Sequence, residues 1–559
     1  MNAIQQLLTD HLGIWTDADT EKKTGRGRSS GNVASVYGIR KLRELILELA
    51  VRGKLVPQDN DWKPTSLGDL GSWAVGSGFP TKEQGLLGLE ILFAKVSDMN
   101  LPENSKFIAT TNHTISRETA NRLRVNIHPA GTVVFPKIGG AIATNKRRIL
   151  LRPTAIDNNC LGLTPKDGVS TEWLFLFLTS IDFTRYQAGT SVPALAQGVL
   201  EEIPALLPPL AEQHRIVAKV DELMALCDQL ETRHNNAAAA HEKLVSHLLA
   251  TLTQSPVRPE LVEGRGSTGS PRTEFEDNWQ RIAAHFDTLF TTEASIDALK
   301  QTLLQLAVMG KLVPQDPNDE PASALLKRIQ AEKARLIAEG KIKKDKLLPP
   351  IADDEKPFEL PQGWEWIGLS DLMPEFQNGV SSRGDKGGKP TIVLRLADIK
   401  NRCISLDDTR TIPINSRDIE KYQLSAGDIL ITRVNGSADI VGSFILNDSE
   451  VEAIYCDHFI RMRIAAQWIN ANYLCLLGES SLVRNKIQSL FITTAGQKTV
   501  NQGHIGSLLI ALPPIGEQRR IVAKVDELMA LCDQLNSRLT LASQVQQKLA
   551  DVVVEQAIA

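Results

Sequence analysis

Basic side chains are concentrated in one short segment of the sequence. Residues 137–152 contain five cations and no acid: Lys137, Lys146, Arg147, Arg148 and Arg152. Cations without acidic neighbours are suited to contact phosphate groups. The amide of Asn145 in the same segment could hydrogen-bond to the edge of a nucleic-acid base. The segment predicts a phosphate-contacting patch, and a solvated basic turn is the alternative.

A second set of candidates lies in the other half of the chain. The basic and polar residues of this set are Arg383, Arg395, Arg433, Asn435, Gln497, Lys498 and Asn501. Two segments, 131–137 (GTVVFPK) and 427–433 (GDILITR), have the pattern of equivalent strands that each end in a cation. A glycine-bearing loop follows each of them, and glycine lets the backbone approach a ligand closely. The pattern favours a second nucleic-acid-contacting site, although such polar residues are just as common in ordinary loops.

Metal and catalytic motifs are weak by comparison. Cys456-Asp457-His458 resembles a ligand cluster, but a buried strand end is the favoured interpretation, and the six cysteines include no CxxC pair. The double prolines stand in Leu-Pro-Pro-Leu and Leu-Pro-Pro-Ile, without the amide or carboxylate that precedes them in adenine methyltransferases. A GxxxxGK[ST] phosphate loop is absent. The sequence therefore predicts no catalytic residue, no metal and no cofactor, with a stand-alone DNA-modifying enzyme as an alternative.

The chain carries an internal duplication. IVAKVDELMALCDQL occurs identically at 216–230 and 521–535, and LAVRGKLVPQD at 49–59 pairs with LAVMGKLVPQD at 306–316. The bodies between these repeats match only weakly. A constant framework around two divergent bodies indicates a protein that recognises two different targets.

The long repeat predicts two helices with a coiled-coil seam. Steps of four and three residues separate apolar positions over five heptads, which is an a/d pattern. In the first copy the seam is Ile216, Val220, Leu223, Cys227, Leu230, His234, Ala237, His241, Leu244 and Leu248. In the second copy it is Ile521, Val525, Leu528, Cys532, Leu535, Leu539, Ala542, Gln546, Leu549 and Val553. Glu212 and Glu517 then suit the first turns of these helices.

Bulk composition limits the class of protein. The 559 residues are 42% hydrophobic and 23% charged, with a net charge of −4, which argues against coating nucleic acid through charge alone. The longest apolar run, Trp173–Leu178, is too short to span a bilayer. The first residues lack the pattern of a signal peptide. We therefore expect a cytoplasmic protein.

The framework resembles the specificity subunit of type I restriction–modification systems. The resemblance lies in LPPLAEQHRIVAKVDELMALCDQL and its second copy, in LAVMGKLVPQDP, and in the segments VFPKIGGAIATNKRRIL and GDILITRVNGSADIVG. It covers residues from about 40 to 555 and departs from the pattern at 254–275 and in the first thirty residues. The resemblance implies double-stranded DNA as ligand, adenine-N6 methyltransferase subunits, expected to number two, and a motor and nuclease subunit as partners.

The same resemblance implies an α+β fold in which two globular α/β target recognition domains are joined by two long helices that form an antiparallel coiled coil. Each domain would read one half of a split, asymmetric site. The alternative is a coiled-coil scaffold without sequence-specific DNA binding. The expected segments are an N-terminal extension (1–39), a first short framework helix (40–59), the first recognition domain (60–205), a central coiled-coil helix (206–252), a linker (253–293), a second short framework helix (294–316), a helical connector (317–357), the second recognition domain (358–510) and a C-terminal coiled-coil helix (511–556).

Overall fold

The computed structural model divides the chain into two compact units. One comprises Met1–Ala238 with Leu541–Ala559, and the other comprises Ala239–Thr540. The structure describes residues 12–17, 36–58, 61–189, 192–253, 271–342, 351–381, 384, 387–448, 450–494 and 496–558. Most of the predicted extension 1–39, most of the insertion 254–275 and the candidate Arg383 lie outside the described residues.

Each segment expected to be helical contains a helix. The central helix spans Leu210–Thr253, and the C-terminal helix spans Ile515–Ile558. The short framework helices span Tyr37–Val51 and Glu293–Val308, followed in the second unit by the connector helix Ala322–Ala338. Further helices are Leu12–Asp17, Arg117–Leu123, Thr171–Ser180, Gln197–Glu201, Pro271–Ala284, Phe286–Leu289, Ser416–Tyr422, Ala471–Glu479, Ser481–Ser489 and Gln502–Gly506.

The body of the first unit contains two main sheets. Its five-stranded sheet has the order Gly71–Val75, Cys160–Pro165, Val133–Pro136, Arg148–Leu150 and Phe107–Ile108. Its four-stranded sheet has the order Thr114–Ile115, Ile91–Ala94, Thr154–Ile156 and Ile127–His128. Lys63–Ser66 pairs with Pro204–Leu207, which closes the two ends of the body directly before the central helix. The hairpin Gln187–Ala188 and Ala194–Leu195 lies outside these sheets.

The body of the second unit repeats this plan. One sheet has the order Glu375–Asn378, Phe459–Arg463, Ile429–Thr432 and Phe444–Leu446. The other has the order Thr411–Ile414, Lys389–Leu394 and Ala453–Tyr455. Glu365–Gly368 pairs with Leu509–Leu512 before the C-terminal helix. Three smaller strands, Val434–Asn435, Gln497–Thr499 and Ile492–Thr494, form a separate sheet, and Ile399–Lys400 pairs with Cys403–Ile404.

The long helices run antiparallel within each unit. In the first unit, Ile216, Val220 and Leu223 of the central helix share a buried cluster with Ala550, and Val553 packs against it. In the second unit, Val245 and Leu249 share a cluster with Cys532 of the C-terminal helix. The start of one helix therefore meets the end of the other. The expected fold, two α/β bodies joined by antiparallel long helices, is what the structure has.

The contact face of the long helices repeats every 3.6 residues and not every 3.5. Five seam residues of each copy are buried or half-buried as predicted: Ile216, Val220, Leu223, Cys227, Leu230, Ile521, Val525, Leu528, Cys532 and Leu535. Farther along, His234, His241, Leu248, Leu539, Gln546 and Val553 are half-buried, but the prediction is wrong at Ala237, Leu244, Ala542 and Leu549, which are exposed. Val245, Leu249, Leu252 and Ala550 are buried in their place. A straight helix drifts by about 20° per heptad from a 3.5-residue repeat, which amounts to one position over five heptads.

A third, short helix packs against the two long helices in each unit. In the first unit, Arg43 of the short framework helix bonds to Asp228 and Glu231 of the central helix, each over 2.7 Å. In the second unit, the equivalent Lys300 bonds to Asp533 of the C-terminal helix over 2.6 Å. The apolar faces of both short helices belong to the same buried clusters as the long helices. The near-identical repeats therefore build the same three-helix junction twice.

Candidate nucleic-acid interface

The candidate Lys137 lies where three elements of the first body meet. It follows the fully buried strand Val133–Pro136. Its backbone N–H donates to the carbonyl of Asn159 over 2.9 Å, and its own carbonyl accepts from the N–H of Leu195 over 2.9 Å. The end of the central strand is thus held between a turn and the hairpin that contains Leu195. The side chain of Lys137 is half-buried at this junction.

The candidate Arg433 occupies the equivalent junction of the second body. It follows the buried strand Ile429–Thr432, so each of the two predicted segments contains a strand that is followed by the expected cation. Its N–H donates to the carbonyl of His458 over 2.7 Å, and its carbonyl accepts from the N–H of Val500 over 3.0 Å. Its guanidinium Nη1 also donates to the carbonyl of Asp457 over 3.2 Å.

The structure brings four candidates of the second body together. Asn435 pairs with Lys498 in the small sheet, next to Arg433 and Gln497. Lys498 Nζ donates to the carbonyl of Gly436 over 3.0 Å, and Asn435 Oδ1 accepts from the N–H of Ser437 over 2.9 Å. The result is one polar face on an exposed hairpin. It combines two cations, Arg433 and Lys498, with the amides of Asn435 and Gln497. This combination of donors and acceptors can contact both phosphates and base edges.

The first body has the same register at this place. Ile138 bridges to Ala194 in the same way that Val434 pairs with Thr499. Ala194 and Thr499 are 305 residues apart, which is also the offset of the long repeat. Although the two hairpins differ in sequence, each lies beside the cation that ends the central strand. The duplication therefore extends into the bodies and places a hairpin beside an equivalent cation in each.

The basic segment 145–148 is bound largely to its own body. Arg147 is only 2% exposed, and its guanidinium lies 4.1 Å from the ring centre of Phe183. It donates to the carbonyls of Leu178 and Ile181 over 3.1 and 3.4 Å. Burial lowers the pKa of Arg147 to about 9. We therefore leave Arg147 out of the proposed DNA-contacting set.

The neighbours of Arg147 have partners within the body as well. Arg148 donates to the carbonyls of Asn104 and Met99. Lys146 donates to the side-chain oxygen of Asn100. Asn145 has a left-handed backbone with φ 50°, and its amide donates to the carbonyl of Thr179 over 2.9 Å. Of these side chains, Asn145 is exposed and Lys146 and Arg148 are half-buried.

Two candidates of the second body hold local structure. Arg395 pairs with the buried carboxylate of Asp398 over 2.9 Å and donates to the carbonyl of Asp408 over 3.0 Å. Asn501 caps the helix Gln502–Gly506 by accepting from the N–H of His504 over 2.9 Å. Both side chains are exposed in part, but their polar groups are already engaged in the body.

Sequence reasoning missed the role of the Glu-Gln pair at the start of each long helix. Glu212 Oε1 accepts from the indole of Trp62 over 2.9 Å, and Gln213 Oε1 accepts from the N–H of Ser170 over 2.7 Å. Gln213 also donates to the carbonyl of Pro208 over 2.9 Å. We expected the glutamates only to favour the first helical turn. Both side chains are buried and instead fasten the helix to its body.

The cluster Cys456-Asp457-His458 follows the strand Ala453–Tyr455, as a strand end does, but it is not buried as expected: Cys456 and Asp457 are half-buried and His458 is exposed. Its ligand atoms lie within 4.8 Å of one another, and Cys456 Sγ is 3.7 Å from His458 Nδ1. Burial raises the pKa of the Cys456 thiol.

The comparisons with known proteins find relatives that extend over the full length of the chain. Residues 59–239 match the family model described as the type I restriction modification DNA specificity domain. The chain is 35% identical to the type I restriction enzyme EcoEI specificity subunit of Escherichia coli, over the full length of both chains. The chain belongs to the type I restriction enzyme specificity subunits.

Other members of this family are similarly related. The specificity subunit is 34% identical to the EcoAI specificity subunit of Escherichia coli, again over the full length of both chains. A chain from a solved structure concerned with complex assembly in the type I R-M system is 17% identical, with a TM-score of 0.48, and the match covers 90% of the specificity subunit and 99% of that chain. Within the described residues, no helix has both the length and the apolar character that crossing a membrane requires.

Proposed function

We propose that this specificity subunit reads a bipartite, asymmetric site in double-stranded DNA, with one body for each half-site. The observation that carries the proposal is the equivalence of the junctions at Lys137 and Arg433. Each joins a central strand, a turn and a hairpin through the same backbone hydrogen bonds. The framework is constant while the side chains around it differ, and this is what recognition of two different half-sites requires.

The chemistry of these faces supports two kinds of contact. Lys137 and Arg433 supply cations that can contact phosphates and so position the body on the duplex. Asn435 and Gln497 carry amides, and an amide that donates and accepts can bind adenine in a bidentate manner through N6 and N7. In the first body, Asn145 is the exposed candidate of the basic segment, and Lys146 is half-buried beside it.

We further propose that the subunit is non-catalytic and needs no cofactor of its own. It would direct adenine-N6 methyltransferase subunits, and a motor and nuclease subunit, to its site. The repeat supports two methyltransferase docking surfaces. Leu226 and Leu531 occupy the same position of the identical segment and are 41% and 49% exposed. Exposed leucines at equivalent positions suit a partner that binds twice.

The test is to map N6-methyladenine in a host genome after expressing the methyltransferase with or without this chain. We expect methylation at one split motif only when both proteins are present. The purified chain alone should transfer no methyl group and cut no DNA. Methylation by the isolated chain, or methylation at a motif that does not depend on it, would contradict the proposal.

A further inference from the structure

Each body holds a second polar turn beside its cation. In the first body the turn follows the strand Thr154–Ile156, and in the second it follows Ala453–Tyr455. Ser77 bridges to Asp157, and Val380 bridges to Cys456. These bridges establish that Asp157 and Cys456 are equivalent positions. Asn158 and Asp457, which come next, are therefore equivalent as well.

The backbone of both turns is fixed by the same constraints. The carbonyls of Asn159 and His458 accept from the N–H groups of Lys137 and Arg433 over 2.9 and 2.7 Å. A glycine lies on the opposite side, at Gly76 in the first body and at Gly379 in the second. A Cβ atom on either glycine would overlap the carbonyl oxygen of the turn. The two bodies thus place the same turn in the same position with little freedom.

The side chains that these turns present are different. Asn158 is exposed, whereas the neighbouring Asn159 bonds to the buried Asp157 over 3.0 Å and so stabilises the turn. At the position of Asn158, the second body has Asp457, with 42% of its side chain exposed. An amide both donates and accepts a hydrogen bond, whereas a carboxylate only accepts. A fixed backbone with exchanged polar side chains is the property expected of a specificity-determining position.

We infer that Asn158 and Asp457 are equivalent base-reading residues, one for each half-site. The inference rests on the proposed DNA-reading function and adds two residues that the sequence patterns did not indicate as DNA contacts. Asn158 is suited to an adenine, through N6 and N7 together. Asp457 is suited to the amino group of a cytosine at N4. The adjacent Lys137 and Arg433 would hold the turns against the duplex.

Metal binding is the competing role for the second turn. Cys456, Asp457 and His458 could serve as three ligands, but the first body has Asp157, Asn158 and Asn159 at the same positions. The first turn therefore offers a single carboxylate to a cation. The two bodies share the position of the turn but not a set of metal ligands. This difference favours DNA contact over metal binding as the role of the turn.

The experiment uses Asp457→Asn in the complex with the methyltransferase, with N6-methyladenine mapped across a genome. We expect one position of the second half-site to change its preferred base, with a relative methylation rate altered roughly 5- to 100-fold. The first half-site should stay unchanged.

Asn158→Asp should produce the reciprocal change in the first half-site, and it carries the test if Asp457→Asn fails to assemble. The control is Glu452→Gln, an exposed carboxylate at the other end of the strand that precedes the Asp457 turn.

The outcomes separate this inference from the proposed function. An active Asp457→Asn complex with an unchanged motif would overturn the inference and leave the function intact. If the wild-type complex methylates at no defined motif, the function itself fails. Loss of second-half-site recognition when the wild-type complex is treated with a chelator would assign the turn to a metal and overturn base reading.

Discussion

The indole N–H of Trp364 donates to the buried carboxylate of Glu517 over 2.9 Å. Trp62 makes the same bond to Glu212 in the first half, also over 2.9 Å. Each tryptophan directly precedes the first strand of its body, so each bond ties the start of a body to the first turn of the long helix that follows it. Gln213 and Gln518 add a second tie, because each accepts from a backbone N–H of its own body. The two repeats therefore fix how each body is attached to its helix.

Replacing Trp364 by Phe should destabilise the second unit. The change removes the indole N–H, the one hydrogen-bond donor of the Trp364 side chain, and leaves the buried carboxylate of Glu517 without that hydrogen bond. The free energy of unfolding should fall by about 1–3 kcal/mol, which circular dichroism during urea denaturation would measure.

The equivalent Trp62→Phe should weaken the first unit by a similar amount. The control is Trp279→Phe, because the Trp279 side chain is 37% exposed. Equal, negligible losses in all three variants would refute the proposed attachment.

Glu517 also predicts a dependence of stability on pH. Burial raises the pKa of Glu517 above its usual value. The folded state then holds the proton more tightly than the unfolded chain, so this group stabilises the fold at low pH. That contribution is lost as the pH rises through the raised pKa. Glu517→Gln keeps an acceptor for Trp364 without the titration. Its stability relative to wild type should improve from pH 4 to pH 8, and a constant difference would contradict the prediction.

Much of the framework could be predicted from sequence because its signals are local. Helical periodicity, the Pro-Pro pairs and the identical repeats identified the long helices within a few residues. The wrong assignment of Leu244 and Leu549 to the buried seam has a physical reason. A heptad template assumes that the helices are supercoiled, and these helices do not follow a supercoil. Burial of Val245 and Ala550 could have been found with a 3.6-residue repeat.

The site was harder to predict because charge pattern does not determine burial. Arg147 belongs to a basic run, yet two aromatic rings and backbone carbonyls surround it. Asn158 carries no local signal, and Asp457 belongs only to a weak metal-ligand pattern that does not indicate DNA contact. Their equivalence follows from strand pairings between residues far apart in the chain. The equivalence of Lys137 and Arg433, by contrast, was visible because both end a buried strand.

Replacing Arg433 and Asn435 together by Ala should impair recognition of one half-site. The loss of each bidentate base contact should weaken discrimination between the correct and the wrong base by about 1–3 kcal/mol. The preference at the other half-site should remain, because Lys137 and its neighbours are untouched. Methylation mapping would measure this effect, and equal loss at both half-sites would show that the variant fails for another reason.

The long helices should act as a ruler between the half-sites. Each has 44 residues, or about 66 Å at ~1.5 Å per residue. Duplicating residues 232–238 and 534–540 adds one heptad to both helices and rotates the contact face by only about 20°. The added rod of roughly 10 Å should lengthen the unread spacer by about three base pairs without altering the half-sites. Duplication in one helix alone, as a control, should disrupt the pairing. An active lengthened complex with the original spacer would exclude the ruler.

The most direct measurement is methylation mapping of a chimera in which residues 67–203 replace residues 369–508. Both segments are bounded by equivalent paired strands, Lys63–Ser66 with Pro204–Leu207 and Glu365–Gly368 with Leu509–Leu512. If each body reads one half-site, the methylated motif should contain the first half-site twice and lose the second. Retention of the second half-site by an active chimera would show that the bodies are not the readers.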